Sequence, residues 1–227
     1  YIFYSGFITE TAAGADVTIA SEPTGEDYFG YAMTAGDFNA DGKTDLAVGA
    51  YGYSTETGRV YIFYNDGSIP NTATTADVII TGEGINSKFG KALATGDFNA
   101  DGKTDLAVGA SKYSSDSGRV YIFYNGFIIT ENAVDADVII TGEASSQLGT
   151  SILGADLNTD GKTDLVVGAM QYSSYNGRVY IFYGGFIVTE NASGADVFIN
   201  GGSDYFGFTL VAGDLNSDGR TDLIVGP

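Results

Sequence analysis

Four loops carry the side chains best suited to chemistry. Each reads Asp-x-Asn-x-Asp-Gly-x-x-Asp. The copies are Asp37, Asn39, Asp41 and Asp45; Asp97, Asn99, Asp101 and Asp105; Asp156, Asn158, Asp160 and Asp164; and Asp214, Asn216, Asp218 and Asp222. Oxygen donors at positions 1, 3, 5 and 9 of a tight loop can converge on one hard cation. Position 7, held by Lys43, Lys103, Lys162 and Arg220, can offer its backbone carbonyl while its side chain points to solvent. Glycine at position 6 (Gly42, Gly102, Gly161, Gly219) permits the positive φ of the reversal. Three carboxylates per loop and flexible oxygen geometry favour Ca²⁺ over Mg²⁺, which keeps more of its water. The loop is no EF-hand, because position 12 is Val48 or its equivalent rather than a bidentate Glu. Asn, Asp and Gly also build plain Asx turns. A turn, however, has no use for a third and fourth oxygen side chain in every copy. The expectation is about four Ca²⁺, one per repeat.

Composition removes other chemistry. The chain has 227 residues, 29 Asp+Glu against 10 Lys+Arg, a net charge of −19, and no His, Cys or Trp. Ser-His-Asp and Cys-His nucleophiles, His or thiolate metal sites and disulfides are therefore excluded. The charge argues against nucleic acid and against anionic membrane surfaces. With 16 Tyr, 14 Phe and 44% hydrophobic residues, the acidic excess belongs to a folded chain. Paired carboxylates can hydrolyse glycosides. Here the strongest acid clusters are assigned to metal, so the chain reads as non-enzymatic. No apolar run approaches ~18 residues, so membrane insertion is not expected. No leader is visible, and the opening Tyr1-Ile2-Phe3-Tyr4 reads as mid-strand, as in a trimmed piece of a longer chain.

The loops sit in a repeat. Tyr-Ile-Phe-Tyr recurs at Tyr1, Tyr61, Tyr121 and Tyr180. Gly36–Ala50 recurs unchanged as Gly96–Ala110, and diverged copies start at Asp156 and Asp214. Phe29-Gly30, Phe89-Gly90 and Phe206-Gly207 precede the loops, with Leu148-Gly149 as the deviant. Asp16, Asp77, Asp137 and Asp196 each open a further segment with Val. Each repeat reads as four strands rich in Val, Ile, Tyr and Phe. In the second copy they run over 88–98, 103–110, 119–124 and 137–141. Inner segments apolar on both faces suit strands buried between two sheets. The expected fold is all-β: a β-propeller of four-stranded antiparallel blades, with residues 1–227 as one domain. A β-solenoid is the alternative. The chain opens on a third and fourth strand and ends on a first and second. One blade is thus split between the termini, and its halves could close a ring or pair with a neighbour's.

Phe-Gly, the Asp-rich loop, then Val-Gly-Ala or Val-Gly-Pro resembles the FG-GAP repeat of integrin α-subunit propellers. The resemblance covers the whole chain. It implies a β-propeller with Ca²⁺ in the hairpin between the first two strands of a blade, and an extracellular or cell-surface setting. The sequence departs from the family in having four repeats where seven blades are usual, in Leu148, and in Asn at the third loop position.

Weaker candidates lie elsewhere. Meandering puts Tyr53, Tyr113, Tyr172 and Tyr175 on the face opposite the acidic loops. There they either cap blades or bind sugar or protein. Gly-Phe-Ile-x-Thr-Glu, near Gly6, Gly126 and Gly185, reads as a 3–4 excursion covering a blade edge. Arg59, Arg119 and Arg178 suit pairing with carboxylates, and Asn191-Ala192-Ser193 fits a glycosylation acceptor. The functional expectation is a Ca²⁺-rigidified adhesion or protein-interaction module. The alternatives are a self-assembling surface-layer or filament subunit and a carbohydrate-binding lectin.

Overall fold

The computed structural model describes residues 1–4, 12–23, 25–125, 128–185, 187–202 and 204–227. Three antiparallel meanders follow one another. Blade A holds β1 (Phe29–Gly36), β2 (Asp45–Ala50), β3 (Arg59–Phe63) and β4 (Val78–Thr81). Blade B holds β5 (Phe89–Gly96), β6 (Asp105–Ala110), β7 (Arg119–Phe123) and β9 (Val138–Thr141), with the short β8 (Glu131–Asn132) lying between β7 and β9 in the chain. Blade C repeats this with β10 (Leu148–Ala155), β11 (Asp164–Ala169), β12 (Arg178–Phe182), β13 (Glu190–Asn191) and β14 (Val197–Asn200). A last pair, β15 (Thr209–Gly213) and β16 (Asp222–Gly226), forms half a blade. These are propeller blades, as the strand pattern leads one to expect.

Both strand faces are apolar because each faces a different blade. Val120 and Ile122 on β7 pack with Leu165, Val167 and Tyr180 of blade C. Tyr121 and Phe123, one residue out of phase, pack with Val60, Ile62 and Ile80 of blade A. Alternation along a strand thus feeds two interfaces. Each fully buried side chain of this size stabilises by about 1.5–3 kcal/mol.

Phe-Gly, or Leu-Gly in blade C, marks the start of the first strand of each of the three blades. The register slips between Phe29 and Ala32, Phe89 and Ala92, and Leu148 and Ser151, so each Gly sits in a bulge with φ of 82–86°. The bulged glycine carries a second burden. A Cβ on Gly49, Gly109 or Gly168, the glycine of Val-Gly-Ala, would collide with the carbonyl oxygen of Gly90, Gly149 or Gly207 in the next blade. Blade-to-blade spacing is therefore set by backbone against backbone.

A further link is absent from the sequence reading. β8 adds in parallel to β4 of the preceding blade, pairing Ile80 with Glu131 and Thr81 with Asn132. β13 adds to β9 in the same way, and Ala20 bridges Thr72 likewise. Thr130 Oγ1 and Thr189 Oγ1 accept the N–H groups of Ile79 and Ile139 at 3.2 and 3.1 Å. The Gly-Phe-Ile-x-Thr-Glu segment thus ends as a fifth strand of its neighbour, rather than only covering an edge. Its isoleucines Ile128 and Ile187 are buried in the inter-blade clusters. The copy at Gly6, together with Gly126, Phe127 and Phe186, lies outside the described residues.

The split blade is seen as two separate halves. Ile2 bridges Val17, the same pairing as Ile62 with Val78 in blade A. β16 pairs with β15, and among the described residues no ladder joins it to Tyr1–Tyr4.

Two outcomes follow from this packing. Gly109→Ala should lower stability by about 3 kcal/mol or more, because backbone cannot yield as a side chain does. Gly84→Ala, where a Cβ meets open space, should stay within about 0.5 kcal/mol in the same thermal melt. Burial also pushes the hydroxyl pKa values of Tyr61, Tyr121 and Tyr180 well above the usual tyrosine range. The folded state then keeps protons that the unfolded chain releases above about pH 10. The tyrosine contribution should be constant between about pH 7 and pH 10 and be lost as pH rises beyond it. Circular dichroism melts should show a shallower fall for Tyr121→Phe.

Candidate metal loops

Each acidic loop joins the first two strands of a blade and repeats one backbone path. Ala40, Ala100, Thr159 and Ser217 take φ of 58–61°, and the position-6 glycines take 83–84°. The loop is held by its own side chains. Asp37 Oδ1 and Asn39 Oδ1 both accept the N–H of Asp41, at 3.1 and 3.0 Å, while Asp37 Oδ2 accepts that of Gly42 at 2.9 Å. Asp41 Oδ1 accepts the N–H of Lys43 at 2.9 Å, a bond that lowers the Asp41 pKa. Asp97, Asn99 and Asp101 repeat these contacts, as do Asp156, Asn158 and Asp160, and Asp214, Asn216 and Asp218.

Position 9 behaves differently. Asp45, Asp105 and Asp164 are buried. Their Oδ2 atoms accept the N–H of Phe38, Phe98 and Leu157, each at 2.9 Å. Their Oδ1 atoms accept the N–H of Asn65, Asn125 and Gly184 at 2.8, 3.0 and 3.0 Å. One carboxylate thereby ties the 1–2 loop to the start of the 3–4 connection. Burial raises the Asp45 pKa and pushes that of Asp105 up to about 6, against the pull of those N–H groups. The fourth copy, Asp222, keeps the bond to Leu215 N–H at 2.8 Å.

The donors suit a hard cation in kind: three carboxylates, an amide oxygen and a position-7 carbonyl on one tight loop. Two of the oxygens, from positions 1 and 3, already aim at one N–H inside the loop. As placed, the carboxylates face loop N–H groups. No three acidic side chains among the described residues stand together in the form of a cation site. A cation would be held by exchanging some of these N–H bonds for metal bonds. Lys43, Lys103, Lys162 and Arg220 could contribute only through their carbonyl oxygens.

The loops also touch the next blade. Asn125 Nδ2 donates to the Asp37 carbonyl. Gly185 N–H donates to the Phe98 carbonyl at 2.9 Å, and Thr163 Oγ1 accepts the N–H of Asp97 at 3.3 Å.

The other sequence candidates resolve as packing. Arg59, Arg119 and Arg178 pair with Glu22, Glu83 and Glu143 at 2.9–3.0 Å, each from the connection that leads into the arginine's own blade. Their guanidinium groups lie over Tyr53, Tyr113 and Tyr172 at 3.6–3.9 Å. These tyrosines cap blades. Tyr175 meets Tyr205 edge-on at 5.2 Å. Asp77, Asp137 and Asp196 accept the N–H of Tyr64, Tyr124 and Tyr183, which closes the third and fourth strands together. Asn191 is exposed but its backbone is held in β13, and Ala192 beside it is buried. Tyr28, Tyr31 and Tyr51, which the sequence reading passed over, form an aromatic group on the face opposite the acidic loops. No helix among the described residues is long and apolar enough to cross a membrane.

Comparison with known proteins agrees with this architecture. The FG-GAP repeat model matches residues 29–63, 89–123, 148–182 and 206–226, each stretch running from the Phe-Gly position through the second strand or beyond. Human phosphatidylinositol-glycan-specific phospholipase D is 35% identical over 87% of this chain and 26% of its own length. Integrin alpha-PS2 of Drosophila melanogaster is 35% identical over 88% of this chain and 15% of its own. Mouse integrin alpha-IIb is 37% identical over 63% and 15%. The chain spans about a quarter or less of the curated relatives named here. Its bulged Phe-Gly, its acidic hairpin and its Val-Gly packing all fall within the matched stretches, and the chain belongs to the FG-GAP repeat family.

Proposed function

We propose that this chain is a non-enzymatic, Ca²⁺-binding propeller domain that works outside the cell or at its surface as a protein-interaction module. The observation that carries the reading is the acidic loop itself. It occurs four times with one backbone path and one donor set. In each copy, the side-chain oxygens of positions 1 and 3 converge on the position-5 N–H, so these two donors of the set already lie close together. The integrin alpha relatives support it by family. Extracellular Ca²⁺ modules work at about 10⁻⁴–10⁻³ M, a range that exposed loops of this kind can serve. The mechanism is rigidification. Ca²⁺ neutralises carboxylates that otherwise repel one another, and it stiffens a loop already bonded to the next blade. Binding to the folded state alone adds stability by mass action. Catalysis is not carried over from the phospholipase D relatives. The chain lacks His and Cys, and the buried carboxylates of the acidic loops are committed to backbone N–H groups.

Calorimetric titration with Ca²⁺ should show up to four sites. Stability should rise by about 2.7 kcal/mol for each site saturated at 100 times its Kd, and EDTA should reverse it. An unchanged melting temperature in EDTA sinks the metal reading. Two variants separate metal from scaffold. Asp101→Ala should lose one Ca²⁺ but cost under about 1 kcal/mol in EDTA, since its loop contacts are exposed. Asp105→Ala should cost at least about 2 kcal/mol even in EDTA, because the N–H groups of Phe98 and Asn125 are then buried without an acceptor.

A further inference from the structure

The repeats provide their own control for the face opposite the acidic loops. Gly36–Ala50 and Gly96–Ala110 are identical, yet the rim positions around them differ from blade to blade. Tyr28, Tyr31 and Tyr51 of blade A correspond to Lys88, Lys91 and Ser111 of blade B, and to Gln147, Thr150 and Met170 of blade C. The backbone is the same in each, with φ of 55° at Tyr28, 57° at Lys88 and 53° at Gln147. The fold therefore demands neither tyrosine nor lysine there.

Where blades A and B meet, the two sets come together. The Tyr28 and Tyr51 rings stack at 4.6 Å and 6°, and Tyr31 meets Tyr51 edge-on at 4.8 Å. Tyr28 and Tyr31 are 48% and 56% exposed. Lys88 Nζ lies 5.4 Å from the Tyr51 centroid. The Lys112 backbone N–H is bonded to Ser87, beside Lys88. Lys88 pairs with Glu56 at 3.2 Å and Lys112 with Asp116 at 3.8 Å. Lys91 has no ion pair among the described residues; its charged neighbours are Lys88, Lys112 and Glu56. Burial and the two neighbouring ammonium groups push its pKa down. Three of the ten cations of a −19 chain thus crowd beside an exposed aromatic platform. An anion placed there relieves the like-charge crowding.

We propose that Tyr28, Tyr31, Tyr51, Lys88, Lys91 and Lys112 bind an acidic sugar, a glycan bearing carboxylate or sulfate groups. Tyrosine offers a flat apolar face and a hydroxyl at low entropic cost, which suits a pyranose ring. The ammonium groups take its anion. Ligand size follows from screening. Within a Debye length of about 8 Å a small ligand meets three lysines against Glu56 and Asp116, a local excess of positive charge carried by Lys91, while a long acidic partner meets the negative field of the whole chain. A compact anion is favoured over an acidic protein. A nucleotide base finds no slot, because the facing sides of Tyr28 and Tyr51 already cover each other. The site is separate from the acidic loops and stands whether or not they hold Ca²⁺.

Calorimetry on the 227-residue chain tests this with four probes: a sulfated heparin tetrasaccharide, its desulfated, N-acetylated and carboxyl-reduced neutral form, AMP, and hexaglutamate. The sulfated sugar should bind with an affinity that falls as salt rises, and the neutral form should bind at least about tenfold more weakly. Tyr31→Ala and Lys91→Gln should each weaken binding about tenfold or more. Val134→Ala, in the connection after β8, should leave it unchanged. Tyr31 is exposed, so its variant should keep the parent melting temperature, and Lys112→Gln reads the same charge if Lys91→Gln misfolds. The proposal is overturned by no heat from the tetrasaccharide at millimolar concentration. It is equally overturned by AMP or hexaglutamate binding as tightly, or by unaltered affinity in the Tyr31 and lysine variants. Binding that persists in EDTA while the Ca²⁺ titration is blank would leave this site standing and remove the metal reading.

Discussion

Gly49, Gly109 and Gly168 each lie against the carbonyl of a glycine in the next blade, with no room for a Cβ between them. Much else depends on that approach. It lets the inner strands of successive blades pack closely. The carbonyl it uses belongs to a glycine in a bulge, with positive φ, so Phe-Gly and Val-Gly are two halves of one contact. The bulge also sets Phe89 into the cluster formed by Val60, Ile62 and Tyr121. Family motifs of this kind are usually read as labels. Here both glycines are steric requirements of the same interface, and the bulky residue beside them is its filling. Leu148 in the third copy fits this view, since it is buried in the equivalent cluster and satisfies the packing without an aromatic ring.

The acidic loops are built onto that frame by one residue. Asp45, Asp105 and Asp164 hold two N–H groups from different segments and so fix where each loop leaves the sheet. The side chains of the outer three donors are half-buried or exposed and accept N–H groups only within the loop. This division has an energetic logic. A buried carboxylate with two N–H partners stays stable without metal, although burial lifts its pKa. Exposed carboxylates crowded on one loop gain most from a cation. Scaffold and candidate ligand set thus overlap at position 9, and a substitution there reports on both.

How far the sequence was legible follows from whether a feature is local. The second strand expected at 103–110 begins at Asp105, because Lys103 and Thr104 belong to the loop. The first, expected at 88–98, covers Phe89–Gly96. Such offsets are small because strand pattern and loop spacing are local signals. The pairing of β8 with β4 is not local. Its two residues, Glu131 and Asn132, carry no strand signature, and their partner belongs to the blade before. The Asp77 bond to Tyr64 and the Arg59 position over Tyr53 were hidden in the same way. Each residue type suggests an interaction, but the partner is set by register. The common backbone path of the four acidic loops was plain from spacing. The position-9 carboxylates were not legible as scaffold, since their acceptor role needs the N–H of Asn65, Asn125 or Gly184, 20 residues on.

Repetition within one chain separates what the fold requires from what it tolerates. Residues that recur in every blade (the paired glycines, the buried aspartates, the Arg-Tyr-Glu sets) have partners that explain them. Residues that change at equivalent positions, as Tyr28, Lys88 and Gln147 do, are free of that demand. Their side chains nevertheless gather rather than scatter, with stacked tyrosines facing clustered lysines across one blade junction. Lys88 and Lys112 pair with Glu56 and Asp116, but Lys91 beside them has no ion pair among the described residues, and burial next to two like charges raises its energy. A cost the fold does not need has to be balanced by something outside it. The blades share their packing, and a ligand accounts for the junction where stacked tyrosines meet clustered lysines.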